Sequence, residues 1–156
     1  MKKFRIAILA SGSGTNAEKI MQYFANHASI EVAVLLSNNP AAFALKRAEA
    51  SQIPSIVFSK EQFKDEDAFM SLLTAHGISH IVLAGFLLLI PDYLIRAFPD
   101  RIINIHPALL PKFGGKGMYG MRVHQAVLDA GEKETGQARR ATARATTSSG
   151  HSSCCG

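Results

Sequence analysis

Tryptophan is absent from this chain, and its only two cysteines, Cys154 and Cys155, are neighbours within the last three residues. Adjacent cysteines rarely bridge each other, and no CxxC or Cys/His metal spacing occurs, so no metal site is expected. The cysteine-free body fits a cytoplasmic protein. Long hydrophobic runs are missing as well. "IAILA", after the basic stretch Met1 to Arg5, is too short for a signal-peptide core and runs into "SGSGTN". No segment approaches the roughly 18 apolar residues of a membrane span. The expectation is a soluble, cytoplasmic chain. No Ser or Cys nucleophile motif appears, and no pair of carboxylates is suitably placed for catalysis.

Negative charge is missing from one end. Residues 137–156 hold Arg139, Arg140 and Arg144 and no acidic residue, three units of the net +5. Of the 17 basic side chains, 14 therefore stand against 12 acidic ones in residues 1–136, a net of +2. That is the mixed surface of an ordinary domain, and nucleic acid is not an expected partner. "QARRATARATTSSGHSSCCG" also lacks Leu, Ile, Val, Phe, Met and Tyr. Its composition is that of disorder, with no core strand or apolar helix face expected from it. "GEKETG" before it reads as a turn into a strand that never arrives. A foreign or frame-shifted terminus and a functional basic tail both fit this segment.

What is present is ample core material. The 156 residues, 47% of them hydrophobic, suit one domain. Apolar, β-rich runs at 4–10, 31–37, 55–58, 80–86 and 101–105 read as buried strands. Helical patterns fill 16–27, 41–51, 61–77, 91–98 and 124–131. The third carries Phe63, Phe69, Leu72 and Leu73 on one face and closes at Gly77; the fourth has Pro91 at its first position. Strands alternating with helices imply βαβ units, a mostly parallel sheet and helices on both faces. The fold class is α/β and Rossmann-like. Ligands of such sheets bind beyond the carboxyl ends of the strands, here residues 11–16, 37–40, 85–90 and 104–107.

Two of these strand ends carry chemistry. "SGSGTN" puts two glycines, two hydroxyls and a carboxamide between a strand and a helix start. Backbone amides at a helix N-terminus favour an anion, and glycine lets a phosphate approach closely. The loop lacks the third glycine of GxGxxG and the GK[ST] of a P-loop. Ser37 and Asn38 stand where an acid would hold an adenosine ribose, so a phosphate on something other than a dinucleotide is expected. The plainer alternative is a turn with Thr15 or Asn16 as N-cap. In "NIHP", Asn104 and His106 lie two residues apart on one strand, hence on one face. The histidine can move a proton near neutral pH, and the asparagine can donate to a developing oxyanion. His27 and His76 read as helix-end residues, while His80 and His124 have no such partner.

"ILASGSGTN", "SNNPAAFALKRA", "VLAGFLLLIP" and "IINIHPALLPKFGGKG" follow in this order. Together they closely resemble the phosphoribosylglycinamide formyltransferase family, the folate-dependent glycinamide ribonucleotide transformylases of purine synthesis. The likeness covers residues 1 to about 136, which makes 137–156 a separate tail with the C-terminal part of the fold missing or replaced. The resemblance implies that Gly14, Thr15 and Asn16 cradle the ribonucleotide phosphate. It implies that Leu87, Leu88, Leu89 and Ile90 line a folate pocket together with Asn104. Asn104 would steady the tetrahedral oxyanion and His106 would transfer the proton. The co-substrate would be 10-formyltetrahydrofolate and the acceptor glycinamide ribonucleotide, with no metal and no membrane partner. Lys112, Lys116 and Arg122 read as solvated residues of the following loop, and Lys64 is not assigned. In the family an Asp in a later Asp-Gly loop partners the histidine; here the last acidic residue is Glu134. Impaired catalysis is therefore expected, and an apolar sheet edge open to pairing. The rival readings are another 10-formyltetrahydrofolate-dependent enzyme and a non-catalytic nucleotide- or folate-binding module.

Overall fold

The computed structural model describes residues 3–106, 121–131 and 138–141. Five parallel strands, β1 (Phe4–Leu9), β2 (Ile30–Ser37), β3 (Ser55–Val57), β4 (His80–Ala84) and β5 (Ile102–His106), lie in the order β3-β2-β1-β4-β5. Their apolar residues alternate between two covered faces, which is why each run is continuous rather than periodic. Ala7, Leu9, Val34, Leu36, Ile81, Leu83 and Ile102 meet Phe63, Phe69, Leu73, Tyr93, Leu94 and Phe98 on one side. Those partners come from α3 (Lys60–Lys64), α4 (Glu66–Ala75), α5 (Asp92–Ala97) and the residue that follows α5. On the other side Ile6, Ile8, Val32, Leu35 and Val82 meet Ala17 and Met21 of α1 (Thr15–Phe24) and Ala44 and Ala48 of α2 (Phe43–Ala50). The small alanines let α2 sit close to the sheet and to α1.

The expected helix over 61–77 is two helices. Asp65 has extended backbone angles, φ −80 and ψ 104, and its Oδ1 accepts from the Ala68 N–H at 3.1 Å. A side chain that caps competes with continuing the helix, and capping wins here, with a typical worth of about 1 kcal/mol. Ser59 and Gln62 close a reciprocal box at the start of α3. Pro91 precedes α5 as its N-cap instead of occupying its first turn. Arg122, expected in a loop, lies in α6 (Met121–Asp129), which begins three residues earlier than its apolar pattern.

A further strand does arrive after "GEKETG". β6 (Ala138–Ala141) pairs antiparallel with β5, Ile103 opposite Ala141 and His106 opposite Ala138. Apolar composition did not predict it because an edge ladder is built from main-chain groups, which β5 offers whatever side chains arrive. The edge of β5 is thus covered along four residues. What stays open is a face: a groove of about 750 Å³ with Val82, Ile103 and Ile105 against Ile20 and Tyr23, the last 75% exposed.

Candidate active site

The chain winds outward from β1 through β2 to β3, then returns to β4 on the other side of β1. The order reverses between β1 and β4, where an open α/β sheet forms its crevice. Ser11 follows β1 at this point, and Ser37 ends β2. They are the two polar residues buried among those described, 5% and 0% exposed. Burial obliges both to be bonded. The Ser11 hydroxyl donates to Asn38 Oδ1 at 2.6 Å and accepts from the Leu87 N–H at 3.0 Å. Its own N–H donates to the Gly85 carbonyl at 3.1 Å, and its carbonyl accepts from Asn39 Nδ2 at 3.1 Å. Ser37 Oγ accepts from the Asn39 N–H, which keeps that asparagine in place. Three strand ends are therefore tied to one residue.

The first helix starts at Gly14, not at a side-chain cap from Thr15 or Asn16. Gly14 is left-handed, φ 70 and ψ 22, and α1 has no side-chain cap bond. The amides that open α1 have no intrahelical acceptors, and the helix dipole favours an anion there. A Cβ on Gly14 would lie 2.5 Å from Ala44 Cβ, so the loop rests directly on α2. Arg47 of α2 fastens it further: its Nε donates to the Ser13 carbonyl at 2.8 Å, and its guanidinium pairs with Glu18 at 2.6 Å. Gly14 is buried, Thr15 exposed and Asn16 half-buried. Asn16 also borders the open groove.

The loop after β4 alternates. Leu88 and Ile90 pack against the core beside Phe86, whereas Leu87 and Leu89 face outward, 52% and 94% exposed. Phe86 in turn leans on the rings of Phe63 and Phe58, with centroids 5.5 and 6.2 Å away. Asn104 is half-buried on β5, opposite Leu83 in register. His106 is the last residue of the same strand; its side chain, Pro107, Lys112 and Lys116 lie outside the described residues. Lys64 is exposed at the end of α3.

Two other titratable groups are placed for structure. His80 begins β4, at the opposite end of that strand from the loop. Burial and then the Arg101 charge hold its pKa below the ordinary histidine value. Tyr93 donates to the Phe63 carbonyl at 2.7 Å; burial, then Glu66 and Asp65, push its pKa up to about 12. Among the described residues no group of three His, Cys, Asp or Glu could hold a metal. No helix there is long and apolar enough to cross a membrane.

Residues 4–139 match the formyl transferase family model. The chain belongs to the formyl transferase family. Relatives include the chloroplastic phosphoribosylglycinamide formyltransferase of Arabidopsis thaliana, 38% identical over 86% of this chain and 48% of its own length. The phosphoribosylglycinamide formyltransferase of Bacillus subtilis is 38% identical over 84% of this chain and 69% of its own. The chain thus spans about half the plant relative and about two thirds of the bacterial one. The crystal structure of phosphoribosylglycinamide formyltransferase from Anaplasma phagocytophilum superposes with a TM-score of 0.78. It is 30% identical, over 90% of this chain and 65% of that one. Glycinamide ribonucleotide transformylase 1 of Geobacillus kaustophilus superposes at 0.76 with 34% identity, over 88% and 73%. These matches bear out the Rossmann-like α/β class.

The fold brings the loop at 11–16, the turn at 37–39 and the loop at 85–87 together, as strand-end reasoning expected. Sequence reasoning assigned no task to Ser11, Asn38, Asn39 or Arg47. In the sequence, Asn38 signifies only the lack of a ribose-binding acid. A signal was available: a serine immediately after a fully apolar strand must be bonded to something.

Proposed function

We propose that this chain transfers the formyl group of 10-formyltetrahydrofolate to the amine of glycinamide ribonucleotide, a step of de novo purine biosynthesis. One observation carries the reading. A left-handed Gly14 opens α1 at the sheet's switch point, and Ser11 beside it is bonded to the residue 85–90 loop. Asn104 and His106 end β5, the strand next to β4. In this reading the α1 amides at Gly14, Thr15 and Asn16 hold the ribonucleotide phosphate. The 85–90 loop receives the pterin, with Leu87 and Leu89 as the residues free to touch it and Leu88 and Ile90 as its anchors.

The amine adds to the formyl carbon to form a tetrahedral intermediate, and its collapse breaks the bond to N10 of the folate. The proton lost by the amine ends on N10, carried by His106, while Asn104 donates to the oxyanion of the tetrahedral intermediate.

An assay with both substrates tests this. Formylated ribonucleotide should form above the enzyme-free blank, and His106→Ala should lower its rate about 100-fold or more. A His106→Ala variant as fast as the unaltered chain contradicts the reading. Binding of both ligands with no product marks a non-catalytic module instead.

A further inference from the structure

The hydrogen bonds around Ser11 are divided between a fixed side and a movable one. The phosphate loop is held without it: Arg47 holds the Ser13 carbonyl, and the Ala44 N–H donates to the Gly12 carbonyl at 3.1 Å. The residue 85–90 loop rests on the core through Phe86, Leu88 and Ile90, apolar contacts that leave the direction of its main chain to hydrogen bonds. Gly85 is left-handed, φ 71, with nothing within 4 Å of a would-be Cβ, and Leu87 and Leu89 are exposed. Its polar ties to β1 are the Gly85 carbonyl and the Leu87 N–H, and both end on Ser11. Asn38 accepts the hydroxyl proton and so turns the Ser11 lone pairs toward the Leu87 amide.

We propose that Ser11 is a positioning residue whose hydroxyl, oriented by Asn38, holds the residue 85–90 loop in its folate-receiving shape. This rests on the reading of that loop as the folate contact. Ser11 touches neither substrate. It acts through the Leu87 main chain, which fixes where the flanking leucines project. The Ser11–Gly85 main-chain bond survives substitution by alanine or threonine, so what Ser11→Ala removes is the orienting hydroxyl alone.

The test is amide exchange on the full-length chain, read beside ligand titration, for Ser11→Ala and Ser11→Thr. Ser11→Ala leaves the Leu87 N–H without an acceptor, and its exchange should rise about tenfold, the scale of one net hydrogen bond. Core amides such as those of Ile8 and Leu35 should not change, and Ser11→Thr, which keeps the hydroxyl, should restore Leu87. Tetrahydrofolate should bind the alanine variant about tenfold more weakly, with glycinamide ribonucleotide affinity altered less than about threefold. Unchanged exchange at Leu87, or equal acceleration in the core strands, overturns the proposal. So does an equal loss of affinity for both ligands, the mark of general loosening. If the unaltered chain binds no tetrahydrofolate, the folate reading fails, and the Leu87 exchange still decides whether Ser11 holds the loop.

Discussion

Replacing Gly14 with alanine should lower stability by about 2–5 kcal/mol, from roughly 1–2 for the left-handed backbone and roughly 1–3 for overpacking. The methyl would sit 2.5 Å from Ala44 Cβ and 2.6 Å from its Cα. The second atom is main chain of α2, so no rotamer change relieves the contact; loop and helix must separate. Two neighbouring glycines divide the cost into its parts. Gly85 shares the positive φ but has an empty surround, so alanine there should lose only the backbone share. Gly12 has neither a positive φ nor a neighbour within 4 Å, and alanine there should be nearly neutral. Urea denaturation of the three variants, compared at constant slope, should rank them Gly14, Gly85, Gly12. A Gly14→Ala variant no less stable than Gly85→Ala would mean that the loop does not rest on α2. Against a total stability of about 5–15 kcal/mol, the loss is large enough to see by melting as well.

Phe69→Ala should lower stability by about 3–5 kcal/mol, the usual cost of removing a fully buried aromatic ring. Phe69 is 1% exposed and packs edge-on against Phe58 and Phe63, with centroids 5.1 and 4.9 Å away. Those two rings carry Phe86, the residue that leads into Leu87. The cavity left by Phe69 therefore lies beneath the loop after β4, and its collapse should move Phe86 inward. Denaturation gives the first effect, and amide exchange over residues 86–90 gives the second. A loss below about 1 kcal/mol, with the loop unaffected, contradicts an aromatic support under the site.

The large elements were legible because the central strands β1, β2 and β4 are covered on both faces along most of their length, so each is spelled out as a nearly continuous apolar run. β1, β2 and β4 begin within a residue of where those runs begin, and end within two residues of the first polar or glycine residue after them. Helix boundaries were less legible. Asp65 and Gly14 set theirs by backbone geometry and capping, and apolar spacing is blind to both. β6 was invisible for a related reason, since main-chain pairing on an edge leaves no hydrophobic trace. At the site, the strand ends tell where to look, and Gly14, Thr15, Asn16 and Asn104 lie at or near them. In the sequence Ser11 is one hydroxyl of a glycine-rich loop, with nothing to mark its role. Its partners, Asn38 and the Leu87 amide, lie 27 and 76 residues away in the chain, and only the parallel order of β2, β1 and β4 brings them together.

The account stands most directly on where the two ligands sit. Amide chemical-shift mapping of the full chain answers that without requiring turnover. Glycinamide ribonucleotide should shift the amides of residues 12–17, and tetrahydrofolate those of residues 85–90 and Asn104. Shifts centred instead on the open groove at Tyr23, Phe4 and Ile103, or none with either ligand, would contradict it.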